Sequence, residues 1–186
     1  MPAFTTPASA PGDVIKFWKE AGVDRWFASD PAFDAQIRER WLAAHELAAR
    51  RQLADWETDA EGMLALLLLL DQFPRNMFRG SPHAFATDLL ARGVAERAMA
   101  RRDDLKFETP WKRLFYLPFM HSERLADQQR CLDLCRVAND EDGSRFSLLH
   151  FDIIARFGRF PHRNATLGRT TTPEEQAFLD AGGFSG

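Results

Sequence analysis

The 186-residue chain has the length of one domain or two small ones, and 45% of its residues are apolar, enough for a substantial core. Its net charge of −3 shows no basic excess that would indicate a nucleic-acid partner. The longest apolar run, from Met63 to Leu70, is far shorter than the roughly 20 residues that a membrane span needs, so we expect no membrane partner.

The N-terminal residues and the cysteines indicate the compartment. Residues 1–12 have neither a basic start nor a continuous apolar stretch, so we expect a flexible tail there and no signal peptide. Cys131 and Cys135 are four residues apart in a helical pattern, a poor geometry for a disulfide. Two thiols without metal-ligand partners are typical of core packing in a reducing compartment, which predicts a cytoplasmic protein.

Helix signals follow one another along the chain. Asp13 opens a short helix to Lys19, and Asp30 with Pro31 forms an N-cap and first position for a helix to about Arg51. His45 falls off the apolar stripe of that helix, which predicts a solvated side chain. The next helix, from about Asp59 to Gln72, is apolar on every side and should be buried.

Similar signals predict the remaining helices. Gly158 is placed to terminate one of them in the left-handed conformation, and Thr172 with Glu175 forms a capping box for the last. The predicted segments are Ser81 to Arg101, Trp111 to Tyr116, Ser122 to Val137, Arg145 to Phe157 and a short helix ending near Gly182. Strand-like alternation is missing from the sequence, so we predict a single all-α domain over residues 13–186, with seven to nine helices packed as antiparallel pairs.

Two near-duplicate phrases are the most distinctive motifs. Asp71-Gln72-Phe73-Pro74-Arg75-Asn76, the first corner, and Arg156-Phe157-Gly158-Arg159-Phe160-Pro161-His162-Arg163-Asn164, the second corner, both follow apolar runs. Each contains Phe-Pro, a basic residue and Asn. Proline cannot continue a helix and disfavours helical dihedrals in the residue before it, so both Phe-Pro steps are interpreted as helix ends.

The polar residues of these corners are candidate ligands for an anion. Arginine forks bind carboxylate or phosphate in a bidentate manner, although a basic surface patch without a ligand explains them equally well. The candidate binding residues are Arg75, Asn76, Arg156, Arg159, Arg163 and Asn164. Asp71 stands at the negative end of a buried helix, where it forms either a structural ion pair or part of a catalytic site.

Histidines supply the candidates for acid–base work. His121 falls on the inward stripe of its helix and His162 lies in the second corner, so these two are the candidates for proton transfer, with Asp71 as an orienting carboxylate. His150 lies on an apolar stripe and is interpreted as a hydrogen-bonded core residue. The spacing of the histidines predicts no metal site, and the sequence contains no motif for a cofactor.

The chain resembles the bacterial domain-of-unknown-function family 924 over about residues 13–183. The resemblance rests on Leu70-Asp71-Gln72-Phe73-Pro74-Arg75-Asn76, on Phe115-Tyr116-Leu117-Pro118-Phe119-Met120-His121-Ser122-Glu123, and on the second corner. It implies a tetratricopeptide-like helical fold and no established activity or catalytic residue. Membership in a helical-repeat superfamily favours a binding role by analogy.

Three hypotheses follow. The chain is a binding module for a peptide, a protein or a small anionic ligand, which the helical reading favours. Alternatively it is an enzyme for a small anionic substrate, held by Arg75, Arg159 and Arg163, with both corners in one site. The third hypothesis is that the corners only lock helix ends together. The sequence does not predict an oligomeric state.

Overall fold

The computed structural model describes residues 10–184, and the regular elements within them are all helical, which confirms the all-α class. The α-helices are α1 (Pro11–Ala21), α2 (Val23–Trp26), α3 (Pro31–Ala49), α4 (Ala60–Leu67), α5 (Phe73–Met77), α6 (Asp88–Ala100), α7 (Leu117–Met120), α8 (Leu125–Val137), α9 (Glu141–Phe157) and α10 (Pro173–Asp180). A π-helical segment, Leu68–Gln72, joins α4 to α5, and 3-10 turns cover Ala54–Thr58, Pro82–Phe85, Asp103–Lys106, Trp111–Phe115 and Pro161–Arg163.

Residues 1–9 of the predicted N-terminal tail lie outside the described residues. The prediction is wrong for the last two tail positions, because α1 already begins at Pro11. Proline suits the first helical position, since its missing N–H would have no intrahelical acceptor there.

Local capping signals are confirmed at several helix ends. The Asp30 carboxylate accepts hydrogen bonds from the backbone N–H groups of Ala32 and Phe33 at 3.0 and 3.1 Å. Gly158 ends α9 with a φ of 69°, and the Thr172–Glu175 capping box opens α10. These signals depend only on neighbours along the chain, which is why the sequence reveals them.

The chain divides into two compact units. The first unit comprises residues 10–79 and 83–118, and the second comprises residues 80–82 and 119–184 among those described. The arrangement of residues 13–186 as one domain stays a prediction.

The core of the first unit is built on α4, which is buried on all sides as its continuous apolar sequence predicts. An aromatic layer lies beside it. Trp18 stacks on Trp26 and on Phe33 with ring centroids 5.6 and 5.9 Å apart, and the Trp26 indole N–H donates to the Trp18 carbonyl at 2.8 Å. The large aromatic content of the sequence therefore serves packing in this unit.

The interpretation of Phe73-Pro74 as a helix end is wrong. The helix widens into the π-helical segment, continues through Pro74 and ends only at Met77. The Phe73 N–H donates to the carbonyl of Leu68, five residues back, and Pro74 has no N–H to donate to the carbonyls four and five residues before it, those of Leu70 and Leu69. A proline is tolerated inside this buried helix because other side chains take over the carbonyls that it leaves unbonded.

His45 performs one of these replacements and is not the solvated residue that its wheel position predicts. Its side chain is buried, and Nδ1 lies 2.8 Å from the Leu69 carbonyl oxygen. Nδ1 must be the donor in this contact because a carbonyl can only accept. Burial lowers the pKa of His45, and the bond to Leu69 opposes that shift only in part.

The second unit is built on the hairpin of α8 and α9, which three residues connect, so the two helices pack antiparallel. Cys131 and Cys135 are buried free thiols in this interface, and each lies within hydrogen-bonding distance of the Ser147 hydroxyl. Their predicted role in core packing is confirmed. At the far end of α9, Ile153, Ile154 and Phe160 form an apolar cluster.

Candidate functional site

Arg75 of the first corner is held by carboxylates. Its guanidinium makes two hydrogen bonds to Asp88, at 3.0 and 3.2 Å, and forms an ion pair with Asp71 at 3.3 Å. It also donates to the Asp71 backbone carbonyl at 2.7 Å. Two carboxylates and one arginine thus form a structural bridge between this corner and the start of α6.

The other polar residues of the first corner are also engaged within their unit. Asn76 donates from Nδ2 to Asp34 at 2.7 Å, and Arg79 binds the same carboxylate through two nitrogens. Asp71 is buried and accepts a hydrogen bond from the Gln72 amide. These contacts brace α3 against the corner, as the hypothesis of a helix lock expects.

Glu175 accepts hydrogen bonds from polar residues of the second corner. Arg159 binds its carboxylate in a bidentate manner at 2.6 and 2.8 Å, and Asn164 donates to it at 3.1 Å. The hydrogen bond from Arg159 is the main cause that lowers the pKa of Glu175 to about 2, with the capping contacts to Thr172 adding to it. Arg156 lies apart from this group, in an exposed pair with Glu174 at 3.0 Å.

The structure assembles a different set of residues around Phe160. The rings of His150 and His162 lie 5.4 and 5.6 Å from the Phe160 ring, and both also contact Phe184, at 4.6 and 5.2 Å. We define the histidine cluster by its four basic residues. They are His121, His150, His162 and Arg163.

Arg163 ties the histidine cluster together. Its Nη1 donates to the His121 carbonyl at 3.1 Å, while the guanidinium carbon lies 4.4 Å from the centre of the Phe160 ring. Arg163 is buried, so its charge acts through a medium with less screening than water. Of the predicted site residues, the structure therefore brings His121, His162 and Arg163 together.

Burial keeps two histidines of the cluster neutral. It lowers the pKa of His150 to about 4, against the opposing effect of the hydrogen bond from Nδ1 to the Phe146 carbonyl at 2.7 Å. It also lowers the pKa of His162 to about 4, and the positive charge of Arg163 adds to that shift. The Nδ1 atom of His162 is buried and has no hydrogen-bond partner among residues 10–184.

Glu123 is the carboxylate that borders the histidine cluster. It accepts two hydrogen bonds from Arg169, at 2.8 and 3.0 Å, and a third from the Phe160 backbone N–H at 2.9 Å. Burial raises the pKa of Glu123, but the hydrogen bonds from Arg169 and Phe160 outweigh it and the net pKa is lowered. An ionised Glu123 is therefore already neutralised by Arg169.

The chain matches the model of a bacterial protein family of unknown function, DUF924, over residues 14–183. The chain belongs to this family. A solved structure of a protein of unknown function from Agrobacterium tumefaciens is similar, with 48% sequence identity and a TM-score of 0.89. The match covers 92% of this chain and 97% of that one. No curated protein matches the chain.

The match confirms the family that the sequence motifs indicate, and the solved relative has the same helical fold. Within the part of the chain that the structure describes, no helix is long and apolar enough to cross a membrane. The same residues contain no group of three or more His, Cys, Asp or Glu side chains placed to hold a metal ion.

Sequence reasoning missed the role of His150 and Glu123 in the histidine cluster. His150 lies on the apolar stripe of α9, as predicted, but that stripe faces His162 and Phe184 rather than a purely aliphatic core. Glu123 is two residues from His121, and its partner Arg169 is 46 residues away along the chain. A pairing between residues so far apart in the sequence becomes visible only in the folded chain.

Proposed function

We propose that this protein binds a small oxyanion, a carboxylate or a phosphate, at the histidine cluster of its second unit. The observation that carries the proposal is the buried Nδ1 of His162, which has no hydrogen-bond partner among the described residues and lies in the field of Arg163. A buried polar atom without a partner costs about 1–3 kcal/mol, and an anion oxygen would supply that partner.

The charge balance of the cluster supports an anion over a cation. Arg163 carries a permanent charge, and the three histidines are able to gain one each. The neighbouring Glu123 binds Arg169 through two hydrogen bonds and also interacts electrostatically with Arg163, so two arginine charges face the single charge of this carboxylate. Arg159 and Arg156 are left out of the proposed site because Glu175 and Glu174 already bind them.

Binding would be coupled to proton uptake. His162 is neutral near pH 7 because its pKa is about 4, and an anion beside it would stabilise the protonated ring. The affinity should therefore increase as the pH falls from 7 to 5, by up to about tenfold per pH unit for each proton taken up.

Binding also fits these pKa values better than the alternative of acid–base catalysis by the same residues. A general base works best when its pKa lies near the operating pH, and a histidine with a pKa of about 4 is a weak base at neutral pH. The binding of a peptide or protein in a tetratricopeptide-like groove stays a prediction, as does the joining of both corners in one site.

Isothermal titration with inorganic phosphate and with acetate at pH 5, 6 and 7 tests the proposal. We expect binding that strengthens as the pH falls and is lost in His162→Phe, which keeps a ring of similar shape but has no nitrogen. Arg163→Met should lose it too. Arg156→Met is the matched control, because this exposed arginine of the second corner pairs with Glu174 and is not part of the histidine cluster. The affinity of this variant should equal that of the parent.

Two results would overturn the proposal. One is the absence of any heat of binding for both anions at pH 5, where the folded parent is confirmed by circular dichroism. The other is binding that persists with unchanged affinity in folded His162→Phe. If Arg163→Met fails to fold, His162→Phe decides the question alone, since that substitution preserves the ring that packs on Phe160 and Phe184.

A further inference from the structure

The first unit contains a cavity of about 240 Å³ between α3, α4, α6 and the 3-10 turn at Ala54–Thr58. Its walls are mostly aliphatic. The apolar residues that line it include Ala48, Leu66, Leu70, Leu89, Leu90 and Val94. This volume lies just below the 300–1,000 Å³ range of pockets for drug-sized ligands, so the cavity suits a small molecule with a short apolar chain.

Gly93 keeps this cavity open. It lies in the middle of α6 and lines the cavity, and a Cβ built on it would meet only the end of the Arg97 side chain, at 3.4 Å. Neither backbone conformation nor close packing requires glycine here. A glycine inside a helix costs about 0.5–1 kcal/mol of stability relative to alanine. The cavity accounts for the glycine at this position, because a larger side chain would occupy its space.

Two arginines that line the cavity, Arg97 and Arg51, differ in their contacts. Arg97 binds Glu57 through two hydrogen bonds of 2.6 Å, which fixes both side chains at the rim. The guanidinium of Arg51 forms no hydrogen bond or ion pair with the other residues from 10 to 184. Arg51 also has a φ of 59°, in the left-handed region that non-glycine residues seldom adopt.

We propose that this cavity binds a small amphipathic carboxylate, with its aliphatic chain beside Gly93 and its carboxylate on Arg51. Leu89 lines the cavity and is 82% exposed, so an aliphatic chain bound there would remove part of its apolar surface from water. Arginine supplies the parallel N–H donors that match a carboxylate. The proposal is independent of the anion site in the second unit, because no residue is shared between them.

Calorimetric titration of the full chain with hexanoate, hexanol and acetate separates the effect of the aliphatic chain from that of the carboxylate charge. The titration is run at pH 7.5, where the proposed anion site of the second unit should bind carboxylates least. We expect hexanoate to bind at least tenfold more tightly than hexanol, which lacks the charge, and than acetate, which lacks the chain. Equal affinity for hexanol and hexanoate would overturn the role of Arg51. Absence of hexanoate binding to the folded parent would overturn the site itself.

Variants locate the site. In the His162→Phe background, which removes the proposed carboxylate site of the second unit, Gly93→Leu fills the cavity and should abolish hexanoate binding. In the same background, Arg51→Met should weaken that binding at least tenfold. Arg50→Met is the matched control, because the neighbouring arginine is paired with Glu46 and does not line the cavity. Hexanoate binding that survives in folded Gly93→Leu contradicts the proposal, and if Gly93→Leu does not fold, the comparison of Arg51→Met with Arg50→Met decides.

One more variant distinguishes this site from the histidine cluster. His162→Phe should leave hexanoate affinity unchanged, and inorganic phosphate should not compete with hexanoate. Loss of hexanoate binding in His162→Phe, with retention in Gly93→Leu, would assign the carboxylate to the second unit and overturn the cavity proposal while supporting the proposed function.

Discussion

The hydroxyl of Thr87 donates a hydrogen bond of 2.6 Å to the Leu70 carbonyl, the group that the N–H of residue 74 would bind in an unbroken α-helix. Pro74 has no N–H, so this buried carbonyl depends on a side chain that lies 17 residues further along the chain. Together with His45 on Leu69, Thr87 explains how a proline remains inside the most buried helix of the first unit.

Removing the Thr87 hydroxyl should therefore destabilise the protein. Thr87→Val keeps the shape of the side chain but leaves the Leu70 carbonyl buried without a donor, so we expect a loss of about 1–3 kcal/mol in the free energy of unfolding. Urea denaturation measures this loss. Thr58→Val is the control, because the Thr58 hydroxyl bonds an exposed carbonyl, and its effect should stay within about 0.5 kcal/mol. Equal effects of the two substitutions would contradict the assignment.

The bridge formed by Arg75 makes a second prediction. Arg75→Met leaves the buried Asp71 and the half-buried Asp88 without their shared cation, so we expect the free energy of unfolding to fall by about 3 kcal/mol. Arg50→Met removes an exposed i,i+4 pair with Glu46 and should cost no more than about 0.5 kcal/mol. A small effect of Arg75→Met would mean that water solvates the two carboxylates adequately, contrary to the structural role.

Two glycines in helices should respond in opposite directions to alanine. A Cβ on Gly62 would overlap the backbone carbonyl of Trp56, where the 3-10 turn packs on α4, so Gly62→Ala should destabilise by about 1–3 kcal/mol. Gly93→Ala meets no such obstacle and should stabilise by up to about 1 kcal/mol through helix propensity. Thermal unfolding of both variants tests the pair, and a loss of stability in Gly93→Ala would indicate an unrecognised packing role.

The buried neutral His150 predicts a dependence of stability on pH. Its pKa is about 4 in the folded chain and near 6.5 when unfolded, so the unfolded state binds the proton first. The contribution of neutral His150 to the free energy of unfolding is fully present above pH 6.5. It is lost as the pH falls toward 4, by about 3 kcal/mol in total.

Urea denaturation of parent and His150→Asn between pH 7.5 and 4 isolates this contribution. The asparagine amide preserves a donor for the Phe146 carbonyl and does not titrate, so the variant should lose about 3 kcal/mol less than the parent over this range. His83→Asn, a substitution of an exposed histidine, is measured in parallel as the control. Parallel curves for parent and His150→Asn would show that His150 takes up no extra proton on unfolding.

The fold class and many of the helix ends were predictable, whereas the sites were not. The Asp30 cap, the Gly158 terminator and the Thr172–Glu175 capping box each involve residues within a few positions of one another. Helical wheels placed His150 correctly on an apolar face but placed His45 in solvent. A wheel ranks faces by hydrophobicity, and it has no means of anticipating a carbonyl on another helix that needs a donor.

The sequence by itself determined that the chain is all-helical and belongs to its family, because caps, glycine terminators and long motifs are local patterns. Only the tertiary structure decided that Pro74 continues a helix, that Arg75 and Arg159 bind carboxylates, and that His150 and His162 contact Phe160. The physical reason is that each of these outcomes depends on which polar group lies opposite a side chain across many residues. Burial then sets the strength of the contact and the protonation state.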